Sequence, residues 1–521
     1  MVRQTDAEQK IVGREDRRID KTMSSTKDFD SCSIHTVENE NFYGNTTVNA
    51  LENLSYTDEE ARRVKWKTDL ILLPLLCICY IFSFLDKTLL NYSSIFGLKK
   101  ALNLHGSQYS WLGSIFYFGY MIGSMAWAKL VQRWPQHAGK FVSSAVLLWS
   151  CITLLTPLCY NFAGIATVRF FLGLVESIIG PVFIIITSNW WTRSEQAFRT
   201  AFWLGGTPIG NFIGGLISYG LGSVHSSLAT WKMFFVFFGS LSFAFSLALG
   251  YFMPDNQGNA RWLTDKEKLI AIERVRENQT VSASDKWKWS QFWEALRDPQ
   301  TTFFFVCAVG NTMPSTFASQ FSSQIVEGFG FSAINTTVIS KCPAAVIQLG
   351  TFLVFSYIAS HRNNIRLYLC ILVSIPPLIG ASLLHFLPTS NQTGRLAGYY
   401  LTYTHTMSWT LNAGLMASNY AGNTKKVTAS GLVFAGWAAG LIAGPQFFLD
   451  NQAPTYELAF KMLMGCYALM IVLPIVQIIW YKFENKRRDK MVQIRGESSD
   501  SIQTFEDRTD FDQGETFRYT M

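Results

Sequence analysis

The chain has 521 residues, of which 49% are hydrophobic and only 16% charged, against about 25% charged in ordinary soluble domains, and its formal net charge is +7. The charges are unevenly spread, because the blocks 69–253 and 302–481 together hold only 24 of the 81 acidic and basic residues. Blocks of that length and polarity meet lipid rather than water, which argues against a soluble enzyme, a nucleic-acid-binding protein and a secreted disulfide scaffold.

The two ends of the chain are polar. Residues 1–66 are rich in acidic, basic, Ser and Asn residues and contain no apolar stretch of the signal-peptide kind. We interpret them as a disordered cytoplasmic tail, and we interpret residues 482–521, which begin with a basic cluster, in the same way. The nine cysteines lie mostly in apolar runs without a CxxC pair, so we expect buried thiols, no metal site and no cofactor.

Polar or Gly/Pro breaks divide each charge-poor block into six apolar segments of about 20 residues, the length of a helix that crosses a bilayer core of ~30 Å. The segments are approximately 69–93, 109–131, 140–160, 163–190, 200–222, 233–253, 302–325, 337–360, 366–387, 396–420, 427–449 and 457–481. We therefore expect an all-α membrane protein with twelve transmembrane helices. Two six-helix halves, 67–253 and 302–481, would be joined by a linker, 254–301, and in such duplicated folds the substrate site lies between the halves.

The loops between these segments differ in charge. Loops 2–3, 4–5, 8–9 and 10–11 contain nine Lys and Arg residues at or beside their ends, whereas loops 3–4, 5–6, 9–10 and 11–12 contain two. Cytoplasmic loops carry such an excess, so we place the first set, both tails and the linker in the cytoplasm.

The linker contains a helix signal. Thr264 and Glu267 form a capping box, and Leu269, Ile272 and Val275 follow as an apolar stripe. This pattern predicts an amphipathic helix that lies along the cytoplasmic face of the membrane.

Two ionisable residues in the fourth segment, Arg169 and Glu176, are the first candidates for a functional site, because charges inside a membrane span are costly. Their spacing of seven residues places them on one helix face, about 10 Å apart along the axis. An arginine can donate two parallel hydrogen bonds to a carboxylate, and a glutamate in a partly dry cavity can take up a proton. We predict substrate binding by Arg169 and proton coupling by Glu176; the alternative is a structural ion-pair network.

Two further charged residues in the segments have open roles. Asp86 and Lys87 point about 100° apart on a helix, so we do not expect them to pair with each other. Asp86 is a second candidate for proton coupling, with a helix-end ion pair as the alternative. Lys341, in the eighth segment, is either a second anion contact or a side chain that snorkels outward, and we favour snorkelling.

Polar side chains on the fifth, seventh and tenth segments complete the predicted substrate site. These candidates are Thr207, Asn211, Asn311, His405, Trp409 and Asn412. Those in the tenth segment share one helix face at spacings of four and seven, and aromatic rings can shape a pocket for an organic ligand. A histidine titrates near neutrality, but a hydrogen-bonded packing role for His405 is an equal alternative.

Several stretches resemble one known family. They are FLDK at 84–87 with NY at 91–92, RFFLGLVES at 169–177, WWTRSEQAFR at 190–199, ARWLT at 260–264 and ENKRRDK at 484–490. Together they are similar to the fungal anion:cation symporters of the major facilitator superfamily. QYSW at 108–111, FYFGY at 116–120 and FRYT at 517–520 resemble its allantoate permease subfamily in particular.

The resemblance implies the twelve-helix major facilitator fold and proton-coupled uptake of a small organic anion such as allantoate, ureidosuccinate or another carboxylate or vitamin-like anion. It implies the anion role for Arg169 and the proton role for Glu176. His405 and Lys341 depart from the allantoate permease pattern, which leaves the ligand open. The expected partners are the anion, protons and the lipid bilayer of the plasma membrane or an endomembrane. We expect a monomer and no nucleic acid.

Two other classes stay open at this point. A nutrient transceptor would resemble a carrier but signal through its tails with little net flux. A multi-span membrane enzyme is disfavoured, because the sequence has no HxxxD pair, no GxSxG motif and no His cluster with metal-ligand spacing. We therefore expect a carrier that is not an enzyme.

Overall fold

The computed structural model describes residues 54–280, 287–362, 364–495, 507–513 and 517–521, and every regular element in these ranges is helical. The first half contains α1 (Asp58–Ile95), α2 (Leu98–Ala101), α3 (Gln108–Arg133), α4 (Ala138–Leu155), α5 (Phe162–Glu176), α6 (Ile179–Trp190), α7 (Arg193–Leu204), α8 (Gly206–Gly222) and α9 (Thr230–Phe252). The linker contains α10 (Asp265–Thr280) and α11 (Trp289–Arg297). The second half contains α12 (Pro299–Thr316), α13 (Ser322–Glu327), α14 (Ala333–His361), α15 (Arg366–Phe386), α16 (Gln392–Leu401), α17 (Thr406–Asn419), α18 (Asn423–Ala443) and α19 (Glu457–Arg495).

Helices occupy all twelve predicted spans. In the described part of the chain, eight helices are long and apolar enough to cross a membrane by length and composition. This confirms the all-α membrane architecture. The other four spans, α3, α7–α8, α12–α13 and α16–α17, are interrupted or richer in polar residues, and their crossing of the bilayer stays a prediction.

The described residues form two compact units, the smaller of which combines residues up to Trp66 with Gln257–Arg274, and the larger Lys67–Asn256 with Val275–Met521. In the smaller unit the predicted capping box is confirmed, since Thr264 N–H donates to Glu267 Oε2 at 3.0 Å and Glu267 N–H donates to Thr264 Oγ1 at 3.4 Å.

The prediction of a disordered N-terminal tail up to residue 66 is wrong at its end, because α1 begins at Asp58. Residues 1–53 of that predicted tail lie outside the described residues.

Several spans are interrupted beside polar residues. Helix α5 ends at Glu176, and α7 and α8 meet at Gly205. The tenth span contains a 3₁₀ turn, Thr402–His405, and the seventh passes into a π-helical turn, Phe317–Phe321, just after Pro314, which has no N–H to donate. Such interruptions within a membrane bundle free backbone groups for ligands and are common at functional sites.

Helices α3 and α5 pack in direct backbone contact. A Cβ atom at Gly119 would lie 2.1 Å from the carbonyl oxygen of Phe170, and one at Gly173 would lie 2.0 Å from the carbonyl oxygen of Phe116. Only glycine allows this approach, which is the usual way for membrane helices to pack closely. The contact fixes the depth at which α5 presents its charged residues.

Hydrogen bonds join the two halves near the helix ends that are predicted to face outward. Asn91 of α1 donates to Ser322 Oγ at 2.7 Å and accepts from Ser323 N–H at 3.1 Å. Ser114 of α3 donates to the carbonyl oxygen of Ile442 at 2.6 Å. These contacts close the molecule on its predicted outer side.

The expectation of a disordered C-terminal tail is wrong for the part that the structure describes. Helix α19 continues to Arg495, fourteen residues beyond the predicted span. Residues 507–513 and 517–521, which we call the C-terminal strap, pack against the second half. The sequence did not predict the packing of the strap, because its contacts are polar and charged rather than apolar.

A buried lysine holds the strap. Lys425 of α18 is fully buried and lies 2.7 Å from Asp510 of the strap, 2.8 Å from Asp298 and 2.9 Å from Glu294 of α11. Asp510 also accepts a hydrogen bond from the Tyr519 hydroxyl at 2.7 Å. A buried charge is tolerated when it is paired and hydrogen-bonded in this way, so the strap belongs to the fold of the second half.

Further contacts spread the strap over several elements. Arg488 of α19 donates to the carbonyl oxygen of Asp510 at 3.1 Å and to the Tyr519 hydroxyl at 2.8 Å. Asn419, the last residue of α17, donates to the carbonyl oxygen of Thr520 at 2.8 Å. The strap thus connects the ends of α17, α18 and α19 on the predicted cytoplasmic side.

Asp507 anchors the other end of the strap. Its carboxylate accepts from Asn423 N–H at 2.7 Å and pairs with Lys288 at 3.1 Å. Burial alone would raise the pKa of Asp507, but the hydrogen bonds from Asn423 and Lys288 outweigh it and hold that pKa below its ordinary value. This anchor therefore contributes stability at neutral pH that is lost as the pH falls through that lowered pKa.

The loop charge bias makes the topology testable. We expect protease added to sealed vesicles to cut the linker, residues 254–301, only when the cytoplasmic face is accessible. The measurement is the fragment pattern of right-side-out and inverted vesicles. Cleavage of the linker from the lumenal side alone would reverse the predicted orientation.

The contacts of the strap with Lys425 lead to a prediction about the stability of the second half. Asp510→Asn removes one of the three carboxylates around Lys425, and we expect it to destabilise the second half by about 1.5–3 kcal/mol. The midpoint of thermal unfolding in detergent measures the effect. The matched control is Asp489→Asn, since Asp489 forms an exposed ion pair with Arg518 of the strap, and it should change the midpoint little. Equal midpoints for Asp510→Asn and wild type would show that the strap adds no stability.

Candidate substrate and proton site

A charged cluster lies between α1 and α5 in the first half. Glu176 is completely buried, and its Oε1 atom lies 2.9 Å from Lys87 Nζ. The Ser83 hydroxyl donates to the same oxygen and accepts from Lys87 Nζ at 3.1 Å. The second oxygen, Oε2, has no hydrogen-bond partner among the described side chains. One oxygen of Glu176 is thus held by Lys87 and Ser83, and the other is without a partner.

Arg169 lies above this pair on the same helix and is 2% exposed. Its Nη1 atom lies 3.5 Å from the backbone carbonyl oxygen of Asp86, and its guanidinium carbon lies 4.8 Å from the ring centre of Phe116. Its Nε atom has no partner, and no described carboxylate forms an ion pair with it. A buried guanidinium with free donors is suited to a planar carboxylate.

The prediction that Asp86 and Lys87 do not pair with each other is confirmed. Lys87 pairs with Glu176, whereas Asp86 Oδ2 accepts from the Thr153 hydroxyl of α4 at 3.3 Å. Asp86 is 1% exposed and is held by a hydroxyl rather than a cation. A proton-coupling role for Asp86 stays a prediction.

Lys87 is a site residue that the sequence reasoning missed. It is a charged residue in a membrane span, four residues after Ser83, and that spacing was the available signal. Its ammonium nitrogen also lies 5.5 Å from the ring centre of Tyr120. Lys87 is therefore the cation paired with Glu176.

The second half contributes a histidine with both ring nitrogens engaged. His405 Nδ1 lies 2.6 Å from the carbonyl oxygen of Thr402, which can only accept, so Nδ1 carries the proton. The Nε2 atom lies 3.3 Å from the Ser315 hydroxyl, which also donates to the carbonyl oxygen of Asn311 at 3.1 Å. Asn311 donates to the backbone carbonyl of His405 at 3.3 Å. This network links α12 to the 3₁₀ turn of the tenth span and favours the packing interpretation of His405.

A small cavity in the second half brings three predicted residues together. It has a volume of about 50 Å³ and is lined by Asn311, Trp409 and Asn412, with apolar side chains around them. The Oδ1 atom of Asn412 has no hydrogen-bond partner among the described residues. An organic ligand needs roughly 300 Å³ or more, so the cavity is too small to hold one in this conformation.

The remaining predicted residues lie on α8. Asn211 is buried, with its Oδ1 atom lacking a partner among the described residues, and Thr207 lies one helical turn before it. Neither residue lines the small cavity. The predicted residues thus form two groups, one in each half.

Two larger depressions lie elsewhere. They have volumes of about 500 and 450 Å³ and are lined by apolar residues of α8 and α9 and of α15, with no charged side chain among the lining residues. Such surfaces suit lipid chains rather than an organic anion.

The expectation that Lys341 snorkels outward is wrong. Its side chain is 1% exposed, and its ammonium nitrogen donates to the carbonyl oxygen of Ala318 at 2.7 Å. Snorkelling depends on a path to the interface along the helix, and packing of α8 against α14 closes that path. The sequence could not reveal this, because the face of α14 that meets the other half depends on tertiary packing.

Comparison with known proteins identifies the family. Residues 76–445 match the model of the Major Facilitator Superfamily. The chain is 32% identical to an allantoate permease of Saccharomyces cerevisiae over 90% of this chain and 88% of the relative. It is 34% identical to an uncharacterised transporter of Schizosaccharomyces pombe, over 90% and 89% of the two chains. A thiamine pathway transporter of Saccharomyces cerevisiae is 31% identical, over 92% and 88%.

Solved structures share the fold at low sequence identity. A D-xylose–proton symporter matches with a TM-score of 0.59 and 10% identity, over 77% of this chain and 97% of that chain. A bacterial homologue of the human lysosomal transporter Spinster, in an inward-facing conformation, matches with a TM-score of 0.58 and 13% identity, over 81% and 96%.

These matches confirm the resemblance found in the motifs. The family model covers most of both halves, and the relatives align over almost the whole chain. The chain is a multi-pass membrane protein of the Major Facilitator Superfamily and belongs to the group of fungal transporters that includes the allantoate permease.

Proposed function

We propose that this transporter is a proton-coupled symporter that takes up a small organic anion, such as allantoate, ureidosuccinate or another carboxylate or vitamin-like anion, across the plasma membrane. The observation that carries the proposal is the buried cluster of Arg169, Lys87 and Glu176. It combines a guanidinium free to bind a carboxylate with a glutamate that has one free oxygen.

The cluster couples the anion to the proton through charge. With no anion bound, Arg169 and Lys87 both favour the ionised form of Glu176. A substrate carboxylate on Arg169 neutralises one of these cations, so Glu176 takes up a proton more readily. By linkage, protonation of Glu176 then strengthens anion binding. Proton uptake also breaks the ion pair with Lys87, which frees the ammonium group when the carrier changes conformation.

The other predicted substrate contacts would act on the organic part of the ligand. Thr207 and Asn211 of α8 and the group Asn311, Trp409 and Asn412 lie in opposite halves, so a ligand would touch both when the halves close around it. His405 would contribute by positioning Asn311 and Ser315, with which it shares hydrogen bonds.

Uptake by cells that lack other carriers for these anions tests the function. Radiolabelled allantoate, ureidosuccinate and related carboxylates are supplied at external pH 5 and pH 7, with and without a protonophore. We expect accumulation that is greater at pH 5 and is abolished by the protonophore. A transceptor would bind an anion without accumulating it, and the absence of any carboxylate flux would refute the proposal.

Glu176→Gln tests proton coupling. The amide resembles the protonated acid, so we expect the variant to bind substrate and exchange it, but to lose uptake driven by a pH gradient. In proteoliposomes, a counterflow assay measures the exchange of substrate, and a concentrative uptake assay measures the uptake that a pH gradient drives. Glu457→Gln, at an exposed position of α19, is the matched control. Accumulation with unchanged pH dependence in Glu176→Gln would move the coupling role to another group, such as Asp86.

Arg169→Lys tests the anion contact. A lysine keeps the charge but cannot donate two parallel hydrogen bonds, and a charge-assisted bond contributes roughly 1.5–3 kcal/mol. We expect kcat/KM for uptake to fall about tenfold to a hundredfold while the protein still folds. The control is Arg487→Lys, an exposed position of α19. Uptake close to wild type in Arg169→Lys would give Arg169 a structural role only.

A further inference from the structure

A second unpaired cation lies at the junction of the two halves. Lys341 of α14 belongs to the second half, and its ammonium nitrogen contacts the carbonyl oxygen of Ala318 in the π-helical turn. The same nitrogen lies 5.9 Å from the ring centre of Tyr92, which belongs to α1 of the first half. The charge is thus placed between a helix of each half.

No described carboxylate compensates this charge. The charged group of the first half contains two acidic residues, Asp86 and Glu176. It also contains two basic residues, Arg169 and Lys87, so its net charge is zero when all four are ionised. Lys341 has a backbone carbonyl as its acceptor, and a carbonyl dipole offsets only part of a full charge. The excess positive charge at the centre of the bundle therefore lies on Lys341.

The burial of Lys341 depends on the closed state of the outer side. A Cβ atom at Gly215 of α8 would lie 3.0 Å from Lys341 Cβ and 3.0 Å from the carbonyl oxygen of Thr337, so α8 and α14 touch at this level. This contact joins the two halves, and it must open when the outer ends part. Tyr92 would then move away from the ammonium group and leave one of its sides free.

We propose that Lys341 is a second carboxylate-binding group, and that the transported anion is a dicarboxylate held by Arg169 of one half and Lys341 of the other. In the outward-open state Lys341 exchanges the Ala318 carbonyl for a substrate carboxylate. Arg169 and Lys341 are both buried and neither pairs with a described carboxylate, which matches a ligand with two acidic ends. Arg395 of the second half is also buried without a described carboxylate, but it lies in the first turn of α16, at the predicted outer end of the bundle. The proposal rests on the proposed function, because it assumes that the cargo is an organic anion.

Matched ligands test the proposal on the purified full-length protein. The probes are ureidosuccinate and succinate, which have two carboxylates, and allantoate and succinamate, which have one. Ligand-induced shifts of the thermal unfolding midpoint and competition for uptake give the apparent affinities. For the wild type we expect the dicarboxylates to bind at least tenfold more tightly than the monocarboxylates.

Lys341→Gln should remove that preference by weakening dicarboxylate binding about tenfold or more, with little effect on the monocarboxylates. Lys341→Arg keeps the charge and should retain most of the preference. The control is Lys461→Gln, since Lys461 is exposed on α19 and should affect neither class of ligand.

The ligand-free protein provides an independent readout. Removal of an unpaired buried charge should raise the unfolding midpoint of Lys341→Gln above that of the wild type, whereas loss of a structural lysine would lower it. A lowered midpoint, or equal dicarboxylate affinity in Lys341→Gln and wild type, would overturn the proposal. A wild type that takes up only monocarboxylates would overturn it as well, while the proposed function would stand.

Discussion

The ion pair between Lys87 and Glu176 is the interaction on which the interior of the first half depends. Each charge offsets part of the cost of burying the other, which for a lone ion amounts to several kcal/mol. Together they hold α1 against α5 at the depth where α5 ends. Arg169 lies two turns away on the same face of α5 and has no carboxylate ion-pair partner among the described residues.

The cost of burying polar and charged groups in lipid also bears on how the two halves meet. Polar contacts between them, such as the hydrogen bonds of Asn91 with Ser322 and Ser323, lie near the predicted outer ends. Aromatic rings also meet between the halves, as Tyr109 with Phe321 and Tyr117 with Trp437. Such an interface can open and reform at modest cost, as a carrier that exposes its site to each side in turn requires.

Much of the fold was predictable because lipid imposes a simple rule on the sequence: each crossing needs about twenty apolar residues, and every charge inside a span stands out. Arg169 and Glu176 were recognised by that rule, and the helices were placed correctly in all twelve segments. The partners of these charges were not predictable. Hydropathy does not tell which helix face meets which neighbour, so Lys87 was overlooked and Lys341 was expected to point outward. The strap was missed because a polar segment held by Lys425 and Arg488 has the composition of a disordered tail.

The glycine contact between α3 and α5 has a consequence for the moving protein. Because no methyl group fits at Gly119 or Gly173, the two helices interlock at the level of their backbones and cannot slide past each other. We therefore expect Phe116 of α3 to stay against the guanidinium of Arg169 when the halves move. The aromatic ring and the cation would then move as one rigid unit, so the proposed anion site of the first half would keep its shape while the second half changes position around it.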